Sequence, residues 1–270
     1  MPFVKIGGIT LHHRHIQASG NARPIVFINS LGTDFRIWDA VSSELSAEMP
    51  MLFYDKRGHG LSDIGNGIRS IDDHVDDLSG LIDHFGYRKV VLCGLSVGGV
   101  IAQGMYARRP EIVEALILCD TVHKIGTADS WKARIEAVER KGIQAVTEAI
   151  LAIWFTPAFH SARSAELAGY RNMLTRQALA GYVGTCAALS DADFTDIARR
   201  IAVPTLCVVG DQDGSTPPDL VRSLADLIPG ARFEIIRSAG HIPCVEQPEA
   251  LTALIRDFVA SLPHGAETHG

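Results

Sequence analysis

The chain has 270 residues, 47% apolar and 21% charged, with a formal net charge of -6. This is the balance of a soluble globular protein long enough to bury a sizeable core. No basic block points to nucleic acid, and the apolar runs are strand-sized rather than membrane-spanning. Met1-Pro2-Phe3-Val4-Lys5 lacks the basic region and long apolar segment of a secretory signal, so a cytoplasmic location with no membrane partner is expected. The five cysteines have irregular spacings that match neither a disulfide framework nor a zinc motif, and they read as reduced core thiols.

In chain order, Phe3 to Ile6, the Gly7-Gly8 turn signal and Ile9-Thr10-Leu11 predict a hairpin, with another turn at 19–22. Continuous apolar runs follow at 25–28, 51–54, 90–93, 115–119, 205–209 and 233–236, as strands buried on both faces should be. Ser70 and Asp73 have the spacing of a capping box, and Val75, Leu78, Leu81, Ile82 and Phe85 then recur at helical intervals. A helix is predicted over 97–108, with Pro110 as its stop, and a last one from Pro248 with Leu251, Leu254, Ile255 and Phe258 on one face. Alternating buried strands and helices predict the α/β class, a mostly parallel central sheet flanked by helices.

Residues 123–198 break that rhythm. They look mostly helical, as at 131–153 and 166–179, and contain no convincing strand. The resulting organisation is a core domain in two parts, 1–122 and 199–262, with a helical cap inserted at 123–198 and a frayed tail at 263–270. Ordinary crossover helices are the alternative for the insertion.

The most informative stretch is Val90-Val91-Leu92-Cys93-Gly94-Leu95-Ser96-Val97-Gly98-Gly99. It places a G-x-S-x-G pattern between a buried strand and a helix, the context of a nucleophile elbow. A sharp turn there strains the serine backbone and needs small neighbours, which Gly94 and Gly98 supply. The bland alternative is that Ser96 caps a helix. No phosphate-binding glycine motif is present, since the first strand leads into Asn29-Ser30-Leu31-Gly32.

A serine nucleophile needs a base. His241 lies in a loop after the last predicted strand, where parallel-sheet enzymes place their sites. His12, His13 and His269 read as surface residues. Asp211 and Asp213 follow the strand at 205–209, and position alone does not choose which of them would orient His241. The chain order of serine, acid and histidine is that of the α/β-hydrolases. The two aspartates have no convincing further ligands nearby, so no metal is expected.

With these residues in place, the sequence resembles an α/β-hydrolase with a helical cap over essentially its whole length. Within that superfamily it is similar to the 3-oxoadipate enol-lactonases. The resemblance rests on Phe27-Ile28-Asn29-Ser30-Leu31-Gly32-Thr33-Asp34, on the segment from Tyr54 to Ser62, on Gly94 to Gly99 and on residues 181–189. The family's Gly-x-x-Asp spacing falls on Gly210 and Asp213. The resemblance therefore implies Ser96 as nucleophile, His241 as base, Asp213 as acid and the backbone N–H groups of Leu31 and Val97 as an oxyanion hole. It implies hydrolysis of 3-oxoadipate enol-lactone through an acyl-enzyme, in aromatic-compound catabolism, with no cofactor. The partner is then a small lactone bearing a carboxylate, and a homo-oligomer stays open. Trp154, Arg134 and Trp131 are the candidates for holding that substrate, and Arg171 and Arg176 lie in the same segment. Another carboxylesterase, a carbon–carbon bond hydrolase or a noncatalytic ligand receptor could carry the same three residues.

Overall fold

The computed structural model describes residues 2–18 and 22–263. The chain opens with a hairpin of β1 (Phe3–Ile6) and β2 (Ile9–Ile16), turning at Gly7-Gly8. Next come β3 (Ile25–Ile28), α1 (Asp39–Leu45), β4 (Met51–Tyr54), α2 (Ile71–His84), β5 (Val90–Leu95), α3 (Val97–Arg108) and β6 (Val113–Cys119). The turn expected at 19–22 and the tail at 263–270 lie largely outside the described residues.

These strands and two later ones, β7 (Thr205–Gly210) and β8 (Arg232–Ile236), form one eight-stranded sheet in the order β1-β2-β4-β3-β5-β6-β7-β8. The pairings β1–β2 and β2–β4 are antiparallel, and all others are parallel. Every residue of β3, β4, β5 and β7 is buried, which explains their unbroken apolar runs. The run at 233–236 reads the same way in sequence but behaves differently. It is the sheet edge, with β7 on one side only, and Ile236 is its one buried residue. His13 also departs from expectation. β2 lies between β1 and β4 and turns alternate residues inward, so His13 is buried beside Phe85. Burial, and then the neighbouring His84, push its pKa down to about 4. His12 is half-buried, and His269 lies outside the described residues.

Helices flank the sheet. α2 starts with the capping box formed by Ser70 and Asp73 and packs on α3. After β7 come α10 (Pro218–Leu227), β8, α11 (Pro243–Glu246) and α12 (Pro248–Ser261), and α12 packs on α1. All five cysteines are buried and free. Among the described residues no helix is long and apolar enough to cross a membrane.

Between β6 and β7 the chain makes six helices: α4 (Ala128–Lys141), α5 (Gln144–Trp154), α6 (Pro157–Ala162), α7 (Ser164–Thr175), α8 (Leu179–Asp191) and α9 (Thr195–Ala198). The predicted helical stretch at 131–153 is broken because Gly142 takes φ 75°, and its N–H closes on the Val138 carbonyl. The stretch at 166–179 breaks after Thr175, and the Gln177 side chain satisfies the Met173 carbonyl. This helical block sits over the loops that leave the strand C-terminal ends. A Cβ at Gly32, after β3, would meet Leu174 at 2.5 Å, and one at Gly58, after β4, would meet the Gly181 backbone at 2.5 Å. Gly214 faces Ile153, and Gly240 faces the Trp154 carbonyl.

The turn from β5 into α3 is packed backbone against backbone. A Cβ at Gly98 would lie 2.2 Å from the Ile28 carbonyl oxygen, and one at Gly94 would lie 2.3 Å from the Gly98 carbonyl oxygen. Neither obstacle is a side chain that can swing aside. Gly98→Ala is therefore expected to lower stability by about 2–3 kcal/mol through overpacking. Gly169→Ala, on an exposed face of α7 with nothing in the way of a Cβ, is expected to raise it by up to about 1 kcal/mol. Urea unfolding of the two variants beside wild type checks the contrast.

Candidate active site

Ser96 stands between β5 and α3 with φ 58° and ψ -119°, a strained conformation for a residue with a side chain. The surroundings hold it there. Its N–H donates to the Cys119 carbonyl at 2.9 Å, and its own carbonyl accepts the Gly99 N–H at 2.9 Å and the Thr121 hydroxyl at 2.7 Å. Its side chain makes no helix-cap hydrogen bond. The backbone of Ser96 is thus fully engaged while the hydroxyl is left free of the helix, which argues against a capping role.

The ends of neighbouring strands bring distant residues together. β5, β6, β7 and β8 lie side by side, and Ser96, Asp120, Asp213 and His241 follow them in that order. The interstrand bonding continues past the strand ends: Asp120 N–H donates to the Val208 carbonyl, Asp211 N–H to Ile236 and Gln212 N–H to Ala239. His241 is buried, and its Nδ1 lies 2.9 Å from Asp213 Oδ2. Asp211 is exposed and accepts the Ala239 N–H instead. The choice that sequence position left open thus has a geometric answer, because the contact with His241 belongs to Asp213.

Asp213 is held at every acceptor position. Its Oδ1 accepts the Ser215 N–H at 2.7 Å and the Thr216 N–H at 3.1 Å, and its Oδ2 accepts the Thr216 hydroxyl at 2.7 Å. Burial would raise its pKa, but the His241 ring and these donors outweigh it and leave the pKa lowered. Glu246 fixes the histidine loop from the other side. One of its oxygens accepts the Gly240 N–H at 2.7 Å, and the other accepts the Thr156 N–H and hydroxyl at 3.0 and 2.7 Å.

Asp120 is a site neighbour that the sequence reading missed. It is fully buried with φ 46°, its Oδ1 accepts the Gly210 N–H at 2.9 Å, and its Oδ2 has no partner. Donor atoms of Asp120, Asp213 and His241 all lie within 4.8 Å of one another. As a metal site this set is poorly suited, because the Asp213 oxygens already accept from four protein groups when the His241 ring is counted. Burial, followed by the charge of Asp213, raises the Asp120 pKa well above the usual carboxylate range. The only sequence signal for Asp120 is its place directly after an apolar strand.

Around the serine, the loop Asn29-Ser30-Leu31-Gly32 follows β3. The Leu31 and Val97 N–H groups donate to no other protein group among the described residues. Gln177 ties the helical block to this loop, donating to the Gly32 carbonyl at 3.3 Å and accepting the Gly60 N–H at 2.9 Å. Trp154 is buried, with its ring 3.6 Å from where a Gly32 Cβ would sit. Trp131 spends its indole N–H on the Ile125 carbonyl, and the Arg134 guanidinium lies 4.9 Å over its ring. Burial raises the hydroxyl of Tyr182 and the thiol of Cys186, and the nearby Arg134 charge works against both shifts. Tyr182 in turn reaches within 3.3 Å of the Gly32 Cβ position. Arg171 is paired with Glu148 at 2.8 and 2.9 Å, and Arg176 is exposed.

Asp120 sets a pH dependence of known sign. A carboxyl whose pKa is raised by folding contributes its stability below the unfolded pKa and loses it as pH rises toward the folded pKa. Asp120→Asn removes that loss. The difference in Tm, variant minus wild type, is expected to grow between about pH 4.5 and about pH 7, as scanning calorimetry at both values would read.

The alpha/beta hydrolase family model matches residues 25–254. A 3-oxoadipate enol-lactonase from Acinetobacter baylyi is 32% identical over 84% of this chain and 84% of its own length. The crystal structure of the enol-lactonase from Burkholderia xenovorans LB400 superposes with a TM-score of 0.92 at 34% identity, covering 96% of this chain and 100% of that one. A thermophilic esterase from Thermogutta terrifontis, solved with malate bound, gives 0.90 at 28% identity over 96% of this chain and 98% of that one. The chain therefore belongs to the alpha/beta hydrolase family, with 3-oxoadipate enol-lactonases among its relatives.

Proposed function

We propose that this protein hydrolyses 3-oxoadipate enol-lactone to 3-oxoadipate with Ser96 as nucleophile, in the breakdown of aromatic compounds. The observation that carries the serine mechanism is the strained Ser96, free of any helix-cap bond, on the same strand ends as the Asp213–His241 pair, which follow β7 and β8. The choice of lactone rests on the enol-lactonase relatives.

His241, oriented through Nδ1 by Asp213, takes the Ser96 proton as the hydroxyl attacks the lactone carbonyl. The Leu31 and Val97 N–H groups receive the developing oxyanion, and one such donor is worth about 3 kcal/mol in the transition state. Collapse breaks the bond to the ring oxygen, which takes the proton back from His241 and leaves as an enol on the same molecule, so that an acyl-enzyme remains. Water activated by His241 then releases the acid, and the enol tautomerises to the ketone. Each step uses protein groups and water, so the route calls on no metal or organic cofactor.

The substrate is an anion. Arg134 is the cap cation best suited to its carboxylate: it is half-buried and stacked on Trp131, and no protein carboxylate pairs with it among the described residues. Trp154 supplies an apolar wall beside Gly32. The likeness to the Thermogutta esterase favours a second reading, a carboxylesterase acting on other small acids.

Freshly generated enol-lactone, with the uncatalysed rate subtracted and the product identified by mass spectrometry, separates these readings. Wild type is expected to form 3-oxoadipate, and Ser96→Ala to lose roughly four to six orders of magnitude in kcat. Turnover of simple esters without acceleration of the lactone would favour the second reading. Arg134→Leu is expected to raise KM for the acidic lactone about tenfold or more, the equivalent of about 1.4 kcal/mol, while neutral aryl esters change by less than about threefold.

A further inference from the structure

Lys56 lies two residues after the end of β4 and is fully buried. Its ammonium donates to the Ser30 carbonyl at 2.5 Å. Asp55 and Asp34 face it without forming an ion pair among the described residues, and His59 and His74 are the other titratable groups that feel its charge. Buried lysines without a close partner are rare, since an apolar side chain of similar length would fill the space at lower cost. Burial pushes this amine down to about 7, against the pull of Asp55 and Asp34, so the fold gives up stability to keep it. Nor does Ser30 need it as a partner, because the same carbonyl accepts the Thr33 N–H at 3.3 Å and the Thr33 hydroxyl at 2.9 Å.

The carbonyl that Lys56 grips belongs to the peptide whose N–H is that of Leu31. A trans peptide is planar, and its C=O and N–H point in opposite directions. A donor fixed on the carbonyl side therefore fixes the direction of the N–H on the other. A cationic donor there also polarises the peptide, and hydrogen bonds in series strengthen one another in a low-dielectric interior. The Leu31 N–H has no other protein acceptor among the described residues.

We infer that Lys56 is a positioning residue that aims and polarises the Ser30–Leu31 peptide, so that the Leu31 N–H binds the oxyanion more strongly than an unassisted amide. This rests on the serine mechanism proposed above. Lys56 does not touch the substrate; it acts through the backbone. Its contribution therefore falls in the transition state, not in ground-state binding.

The test compares wild type, Ser96→Ala, Lys56→Met and Lys56→Gln. Steady-state hydrolysis of an aryl ester gives kcat and KM, the rate of covalent labelling by an alkyl fluorophosphonate reports a tetrahedral adduct, and Tm reports the fold. Lys56→Met is expected to keep its Tm or gain a few degrees. Its kcat and labelling rate should fall about tenfold, less than loss of a whole oxyanion donor, with KM within about twofold. Lys56→Gln, which keeps a neutral N–H donor, should lie between Lys56→Met and wild type. Wild-type kcat and labelling in both variants would overturn the assignment, as would an effect confined to KM. Loss of cooperative unfolding in both variants would also overturn it, by making Lys56 a residue of the fold. If wild type resists labelling, or Ser96→Ala is labelled equally, the failure lies in the serine mechanism itself.

Discussion

The close approach of two backbones at Gly98 is the constraint on which the site depends. A Cβ at Gly98 would clash with the carbonyl of Ile28, the last residue of β3, and one at Gly94 would clash with Gly98 itself. One contact thereby sets two things. It forces the turn that leaves Ser96 at φ 58°, and it fixes where the Asn29–Gly32 loop begins relative to that serine. Ser96 and the loop follow strands adjacent in the sheet, but their relative height is set by hard-sphere contact, which varies little with temperature or solvent. Strain at Ser96 is tolerable because Cys119 of β6, Gly99 of α3 and the Thr121 hydroxyl each hydrogen-bond its backbone.

Two carboxyls within a few ångströms of His241 are driven in opposite directions. Asp213 accepts from four donors, which outweigh burial and lower its pKa; Asp120 accepts from one, and burial followed by the charge of Asp213 raises its pKa. Shifts of opposite sign in two neighbouring carboxyls follow from unequal hydrogen bonding in the same buried setting. The six-helix block then closes over these loops at glycines, because nothing larger fits between Gly58 and Gly181 or between Gly240 and Trp154. Gln177 and Glu246 supply directional ties where packing alone would leave the loops free to shift.

Much of this was legible in the chain. The doubly buried strands are apolar runs because both faces are covered, and the Ser70–Asp73 box and the 97–108 helix follow from local rules that need no tertiary knowledge. The elbow was legible because strand, glycines and serine are contiguous. What failed was whatever depended on sheet order. The run at 233–236 looks like an interior strand, and only its place at the edge exposes Ile235. His13 looks like a surface residue, and only the pairing of β2 with both β1 and β4 turns it inward. Asp120 is one aspartate among many until β6 and β7 are known to be neighbours. Lys56 hides inside a motif whose glycines draw the eye.

The residues missed in sequence share a physical character that explains why local rules pass over them. Asp120, Lys56, His59 and His74 are polar groups in full burial, and several of their atoms have no hydrogen-bond partner. A sequence optimised only for stability would fill such positions with apolar side chains, because each unpaired buried polar group costs about 1–3 kcal/mol. They cluster beneath the strand ends that carry Ser96, Ser30 and Asp213, not at the opposite end of the sheet. Local sequence rules describe how a chain maximises consistency between propensity, pattern and burial. They break where that consistency has been given up, and the breakdown falls on the same edge of the sheet as the strained serine.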